Sequence, residues 1–318
     1  MTRLSIIIPV HNAKEDLVRV LDSVIPQVCE QDEILLIEDS SNDGSYELCD
    51  EYANKYSFVE TYHVNFRGPS PTRSHGILKS KGEYILFIDS DDWIESNTIS
   101  EMMKLSSDYE MVVSGYFFES DMNIVEKRIR NKNIIDKKDI FELYNAELLN
   151  VLWNKIFNAS IIREHHILFD ENLKKGEDLL FILQYIQHIK TKIAIVDQCF
   201  YHYISKETGI NKSHKETMQD KRDRMYMIMD EFLKIVDNKN LFVSHMLNMY
   251  FRHMRDYMNV ELNQSAMIKL KFIKKQSRNQ IVNDIFKHVN GMKMMFLKVL
   301  HIFHLDIVMF VLNRLFLR

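Results

Sequence analysis

Short unbroken apolar runs, each stopped by polar residues, alternate along the first ninety residues with stretches whose apolar positions recur every three or four residues. Leu4–Val10 is apolar and β-branched and stops at Pro9 and His11-Asn12, which predicts a buried strand. Leu17, Val20, Leu21, Val24 and Val28 then fall at helical spacing, with Pro26 breaking the end. Residues 33–38 form a second apolar run, followed by a polar turn through Ser45 and a helical stretch to about Lys55. Residues 58–64 predict a third strand, 67–71 a loop and 72–80 a short helix. The fourth run, residues 84–88, is bounded by Gly82 before and by Asp89, Asp91 and Asp92 after. The order βαβαβαβ with short connections predicts an α/β protein built on a mostly parallel, doubly wound sheet.

All four prolines lie at or before Pro71, and the pattern then changes. Residues 111–118 predict a further strand, 136–149 a helix, 153–157 a short aromatic segment and 160–165 another helix. Residues 178–188 read as helical, and 193–196 and 200–204 as two extended pieces. From Lys215 onward only helical patterning is visible, so three parts are expected: 1–110, 111–214 and an α-helical region 215–318.

Composition narrows the class. A chain of 318 residues with 46% hydrophobic and 27% charged residues is an ordinary globular composition, long enough for two domains. Cys29, Cys49 and Cys199 show no metal-binding spacing and fit reduced thiols in a cytoplasmic protein. No run of eighteen apolar residues occurs, so no spanning helix is expected, and Met-Thr-Arg running straight into the first strand predicts no signal peptide. The net charge of −4 is uneven: from Asn263 onward ten basic residues face two acidic ones. That basic, Met/Phe/Leu-rich end, above all residues 292–318, suits the inner-leaflet surface of an anionic membrane, a contact between protomers of a homo-oligomer, or packing inside the helical region.

The chemistry concentrates at the carboxyl ends of the predicted strands, where open α/β sheets bind ligands. Asp89 and Asp91 lie two apart and would point the same way if the chain stays extended. Their oxygens suit Mg2+ or Mn2+, which take one or two carboxylates plus substrate phosphates. The alternative is a solvated acidic turn that caps the helix after it.

Five segments in order resemble the motifs of glycosyltransferase family 2: Leu4 to Asn12, Ile37-Glu38-Asp39-Ser40, Gly68-Pro69-Ser70-Pro71-Thr72-Arg73, Asp89-Ser90-Asp91-Asp92, and Trp153-Asn154-Lys155-Ile156-Phe157 with Gly176-Glu177-Asp178. The resemblance covers about residues 4–204. It implies the nucleotide-sugar-binding GT-A fold and sugar transfer with inversion, to a glycan or lipid-linked glycan of a bacterial surface. It implies that Pro9 and Val10 line the nucleobase, that Asp39 accepts the uracil N–H of a UDP-sugar, and that Asn65 and Arg73 lie near the nucleotide. Asp91 would ligate Mn2+ or Mg2+, Asp89 would hold the ribose or share the metal, and Asp92 is a third candidate. Asp178 would be the base for the acceptor hydroxyl, with Glu177 orienting it or taking its place. The chain departs from the pattern at His11 for tyrosine, Ser40 for glycine, Ser74 for asparagine, and Ile204 for the arginine after Tyr201-His202-Tyr203. His202, Lys206, Lys212, Ser213 and His214 are candidates for the diphosphate or acceptor contacts left open there.

Plainer roles exist for each residue. Asp39 and Asp43 could cap the helix near Ser45, Arg73 could pair with an aspartate of the acidic turn, and Glu177-Asp178 could supply charge at a helix start. A nucleotidyltransferase would need a glycine-rich phosphate loop after the first strand, which Pro9-Val10-His11-Asn12 does not offer. A non-catalytic GT-A partner subunit is the remaining rival, and Asp89, Asp91 and Asp178 speak against it. No GxGxxG and no nucleic-acid module is present.

Overall fold

The computed structural model describes residues 2–173, 175–205 and 218–236. Two compact units divide the chain, Met1–His214 and Lys215–Arg318. The first opens with β1 (Leu4–Val10), α1 (Lys14–Val24), β2 (Asp32–Asp39), α2 (Ser45–Lys55), β3 (Val59–Val64), α3 (Pro69–Lys79) and β4 (Tyr84–Phe87). It continues with β5 (Trp93–Ile94), α4 (Thr98–Ser106), β6 (Met111–Ser120), β7 (Asn123–Lys127), β8 (Ile134–Ile135), α5 (Phe141–Asn145), β9 (Lys155–Asn158), α6 (Ala159–Glu164), α7 (Glu177–His188) and β10 (Ile193–Ile204). In the second unit one helix is described, α8 (Met218–Ile235).

One mixed sheet organises the first unit, in the order β3-β2-β1-β4-β9-β6-β10-β5, with β7 paired to β6 and β8 to β10. Strands β1 to β4 are parallel to one another, as the apolar runs predict. Every side chain of β2 is buried, as a strand covered on both faces requires. The register sets Val10 opposite Glu38, so the carboxyl ends of β1 and β2 open side by side. Beyond β4 the sheet turns mixed, because β9 lies antiparallel between β4 and β6.

Two packing features place the chemistry. A Cβ on Gly76 would lie 2.4 Å from Ile7 Cγ2, so only glycine lets α3 rest this closely on β1. That contact presses the turn carrying Arg73 down onto the sheet. On the same face of the sheet α7 buries Leu179, Leu180, Phe181, Ile182 and Leu183. Phe181 stacks on Phe169 at 4.4 Å and meets Phe87 and Phe157 edge-on at 6.0 and 5.7 Å. Each such buried side chain contributes about 1.5–3 kcal/mol, enough to fix the start of α7 against the end of β4.

Several element boundaries differ from the sequence expectation. Helix α3 begins at Pro69 rather than residue 72, because a proline costs no hydrogen bond in the first helical turn. The predicted helix over 136–149 is instead a 3-10 turn, Lys137–Asp139, and the five-residue α5. Glu147 adopts a φ of 61° there, and the N–H groups of Leu148 and Leu149 fold back onto the Leu143 carbonyl. The two pieces near 193–204 are one strand, β10, carried through by register shifts around Cys199. The expectations for residues 292–318, and for helices beyond residue 236, lie outside the described residues. No described helix is long and apolar enough to cross a membrane.

Candidate active site

The acidic turn after β4 is compact, not extended. The Asp92 N–H donates to the Asp89 carbonyl at 3.3 Å, so Asp89 and Asp91 do not share a strand face as the spacing suggests. Asp92 points inward. Its carboxylate accepts from the Tyr201 hydroxyl at 2.7 Å and from the Ile204 N–H at 2.8 Å. Burial, together with the charges of Asp89 and Asp91, raises its pKa well above the ordinary carboxylate range. The Tyr201 hydroxyl also accepts from the Asp89 N–H at 3.0 Å, so one phenol ties both ends of the turn to β10. Asp92 therefore holds the turn in shape, with its carboxylate bonded to β10.

Asp89 Oδ1 stands 2.8 Å from Arg73 Nη2. The Arg73 Nη1 stands 3.3 Å from Asp178 Oδ1 and 3.9 Å from Glu177 Oε1. One guanidinium thus joins the end of β4 to the start of α7, where Gly176 in the left-handed region turns the chain into the helix. Burial works against the Arg73 charge, and Asp178 and Asp89 outweigh it, so its pKa is held above the ordinary value. The Arg73 Nε is buried without a hydrogen-bond partner. The ion pair with the acidic turn, one of the two sequence readings for Arg73, is present.

Burial pushes the Asp178 carboxyl up to about 7, against the pull of Arg73. Glu177 and Asp89 add to the rise, and Lys155 opposes it. A carboxylate with proton affinity near neutrality suits a group that takes up and returns a proton.

Asp39 is almost fully buried at the end of β2, and it does not cap α2. Oδ1 accepts the N–H groups of Phe66 and Arg67 at 2.7 and 3.0 Å. Oδ2 accepts the Gly68 N–H at 2.9 Å and the Thr72 hydroxyl at 3.2 Å. These four donors match the roughly four lone-pair sites of a carboxylate, so a uracil N–H would have to displace one of them. Asp43 is the residue that serves α2, accepting the Ser45 N–H at 2.9 Å. Ser40, which stands where the resembled motif has glycine, takes the glycine-like φ of 55°, and its hydroxyl donates to the Val64 carbonyl at 2.9 Å.

Val10 is buried and Pro9 partly so beside Asp39, whose carbonyl accepts from His11 Nδ1 at 2.6 Å. Asn65 is exposed, and its Oδ1 accepts from Arg67 Nε at 3.3 Å. His202 lies buried between Trp93 at 3.4 Å and Phe117 at 4.5 Å, with its ring nitrogens on Glu95 and Glu119. It packs the β5–β10 corner. Lys206, Lys212, Ser213 and His214 lie outside the described residues.

Sequence reasoning gave no role to Tyr201, Thr72 or Lys155. Tyr201 reaches a turn 109 residues earlier in the chain, and no local pattern announces such a contact. Lys155 was visible only as part of the Trp-Asn-Lys segment, although the structure buries it completely. Among the described residues, no three His, Cys, Asp or Glu side chains form a ready-made metal cage. Asp89 and Asp91 lie on one turn, where Asp89 Oδ1 is engaged by Arg73.

This geometry has relatives. The poly(ribitol-phosphate) beta-glucosyltransferase of Bacillus spizizenii is 25% identical over 279 residues, 85% of this chain but 42% of the relative. The putative glycosyltransferase EpsH of Bacillus subtilis is 26% identical over 238 residues, covering 73% of this chain and 69% of EpsH. Residues 1–349 of Staphylococcus aureus TarS, crystallised in complex with UDP-GlcNAc, share the fold with a TM-score of 0.73 at 19% identity, over 98% of this chain and 89% of that one. This chain spans less than half the length of the Bacillus spizizenii enzyme, and 45% of that of full-length TarS, a poly(ribitol-phosphate) beta-N-acetylglucosaminyltransferase. The family model for glycosyl transferase family 2 matches residues 5–166, half of the chain, and the protein belongs to that family.

Proposed function

We propose that the protein is an inverting, metal-dependent glycosyltransferase that moves a hexosyl or N-acetylhexosaminyl group from a UDP-sugar to a hydroxyl of a growing, lipid-linked surface glycan. The observation that carries this reading is the Asp89–Arg73–Asp178 chain, which couples a donor-side acidic turn to a carboxylate poised near neutrality. The names of the relatives support a cell-wall polymer as acceptor, and the UDP-GlcNAc complex of TarS supports a UDP donor.

In this reading Asp178 accepts the proton of the acceptor hydroxyl as that oxygen bonds to the anomeric carbon. The bond from that carbon to the diphosphate oxygen breaks on the opposite face, and UDP leaves. A positioned carboxylate base contributes roughly 10²–10⁴-fold. Arg73 keeps Asp178 aimed and holds Asp89 in place. Asp91 and the remaining oxygen of Asp89 would hold Mn2+ or Mg2+, which supplies Lewis-acid neutralisation of the departing diphosphate. Asp39 shapes the nucleotide side by fixing residues 66–68, beside Pro9 and Val10.

The basic end of the chain gives the inner leaflet of the membrane, where a lipid-linked acceptor would sit, as its partner surface. A panel of UDP-, GDP- and dTDP-sugars, scored with Mn2+ for thermal stabilisation and nucleotide release, tests the donor. Stabilisation by a UDP-sugar is expected; selective stabilisation by another nucleotide would overturn the UDP assignment.

A further inference from the structure

His63 stands near the end of β3, in register with Glu38 on the parallel neighbour β2, so the two side chains lie on the same face of the sheet. Its Nδ1 lies 3.0 Å from Glu38 Oε2, and its Nε2 lies 2.8 Å from Asp50 Oδ1. The ring stacks on Tyr46 at 3.6 Å. Tyr46 and Asp50 are four apart on α2 and share one helix face. A neutral imidazole has one N–H, whereas both ring nitrogens here face a carboxylate oxygen. Only the imidazolium donates to both, and in doing so it ties α2 to the end of β2.

Glu38 carries this contact to the nucleotide side. It is buried, and its other oxygen accepts the Ser41 N–H at 2.5 Å, in the turn between β2 and α2. That turn grips the one that follows Val10. The Ser41 hydroxyl accepts the Asn12 N–H at 3.0 Å, Asn12 Oδ1 accepts the Asn42 N–H at 2.9 Å, and Asp43 Oδ2 accepts the Lys14 N–H at 2.9 Å. Both turns border the open carboxyl ends of β1 and β2, beside Pro9, Val10 and Asp39. Loss of one proton from His63 would set a ring lone pair against a carboxylate and release either Glu38 or α2. Burial works against the His63 charge, and Glu38 and Asp50 outweigh it, so its pKa is held above the ordinary 6.5. The groups that face the ring are Glu38 from β2 and Asp50 and Tyr46 from α2. Cys49 of α2 lies in the same field of charge, and burial pushes its thiol up to about 12, so it stays neutral.

We propose that His63 is a positioning residue for the nucleotide: its imidazolium locks α2 to the end of β2 and keeps both turns in shape, so that donor affinity falls as the medium becomes alkaline. The inference rests on the nucleotide binding at the carboxyl ends of β1 and β2. A role in folding alone would leave donor affinity independent of the charge on this ring.

Linkage tests it, because a ligand that favours the imidazolium must raise the midpoint of the ring's titration by the same factor. The His63 ring resonances of the full chain are titrated by NMR, free and saturated with UDP and Mg2+. We expect UDP to raise the midpoint by about half a pH unit, the equivalent of roughly threefold in affinity. An unmoved midpoint with UDP bound overturns the proposal. Uridine, which has no phosphate, should raise the midpoint as well. A shift with UDP and none with saturating uridine would report only the field of the diphosphate and overturn the proposal. Calorimetry then compares UDP affinity near pH 6 and near pH 9 in the wild type and in His63→Gln, so that titrations common to both cancel. The wild type should lose about threefold more affinity than the variant over that range. Equal losses overturn the proposal, and the NMR titration decides alone if His63→Gln does not fold. If UDP binds the wild type at neither pH, the donor reading falls and takes this inference with it, an outcome distinct from an unmoved midpoint.

Discussion

Arg73 Nη1 lies 3.3 Å from Asp178 Oδ1, across 105 residues of chain, while its other terminal nitrogen holds Asp89 at 2.8 Å. The guanidinium is nine-tenths buried, so this is an interior network and not a surface ion pair. Removing the arginine would leave its carboxylate partners uncompensated in the interior, at a cost of about 3–5 kcal/mol. Arg73→Gln should therefore lower unfolding stability by about that amount with no donor present. Arg73→Lys should fall between, since one ammonium cannot bridge two carboxylates with a fixed fork. If urea unfolding of ligand-free Arg73→Gln matches the wild type, the arginine serves bound nucleotide alone.

The environment of Asp178 sets a pH dependence. Its ionised form is the active base, and burial lifts its pKa to about 7, so kcat/KM should rise with pH and level off above about 7. An acid limb centred near the ordinary carboxylate value of 3.8 would contradict this. The same shift acts on stability with the opposite sense. The folded pKa exceeds the unfolded one, so the native state holds a proton that the unfolded chain releases between about pH 4 and 7. The contribution is complete below that window and is lost as pH rises through it. Asp178→Asn should match the wild type in stability near pH 4 and exceed it near pH 8, as read by denaturant midpoints.

Asp91→Asn keeps the shape of the turn and removes a hard anionic ligand. The folded state should persist, because Asp92, Tyr201 and Ile204 carry the structural bonds there. Mn2+-dependent UDP binding by calorimetry should weaken by about an order of magnitude or more. Binding unchanged with and without Mn2+ would remove Asp91 from the metal.

The basic end predicts membrane attachment. Each basic residue near an anionic surface is worth about 1 kcal/mol, screened by salt. The intact chain should sediment with phosphatidylglycerol vesicles, release in part as salt rises, and bind phosphatidylcholine vesicles less. A chain cut after Asn290 should lose that binding and keep donor hydrolysis. If the truncated protein folds and binds vesicles as well as the intact one, the attachment lies elsewhere.

How far the sequence could be read depends on the range of the interactions involved. Strands β1 to β4 were legible because a strand buried on both faces shows as an unbroken apolar run. The helix over 136–149 failed because its apolar spacing hid a chain reversal at Glu147, a residue type that seldom takes a positive φ. Asp89, Arg73 and Asp178 each stood out, and the pairing of Arg73 with the acidic turn was one of two open readings. Its second contact, with Asp178, joins two elements 105 residues apart in the chain and leaves no local trace. The partners that His202 and Asp92 have inside the fold, Glu95 and Tyr201, stand 107 and 109 residues away in the chain and leave no local pattern either.

The most direct test of the central claim is a paired measurement on Asp178→Asn: donor affinity by calorimetry with UDP-glucose or UDP-N-acetylglucosamine and Mn2+, and turnover at saturating donor. Affinity within about twofold of the wild type and turnover lowered roughly a hundredfold or more are expected. Turnover retained at saturation with donor affinity lost would move this carboxylate to the donor site and contradict its assignment as the base.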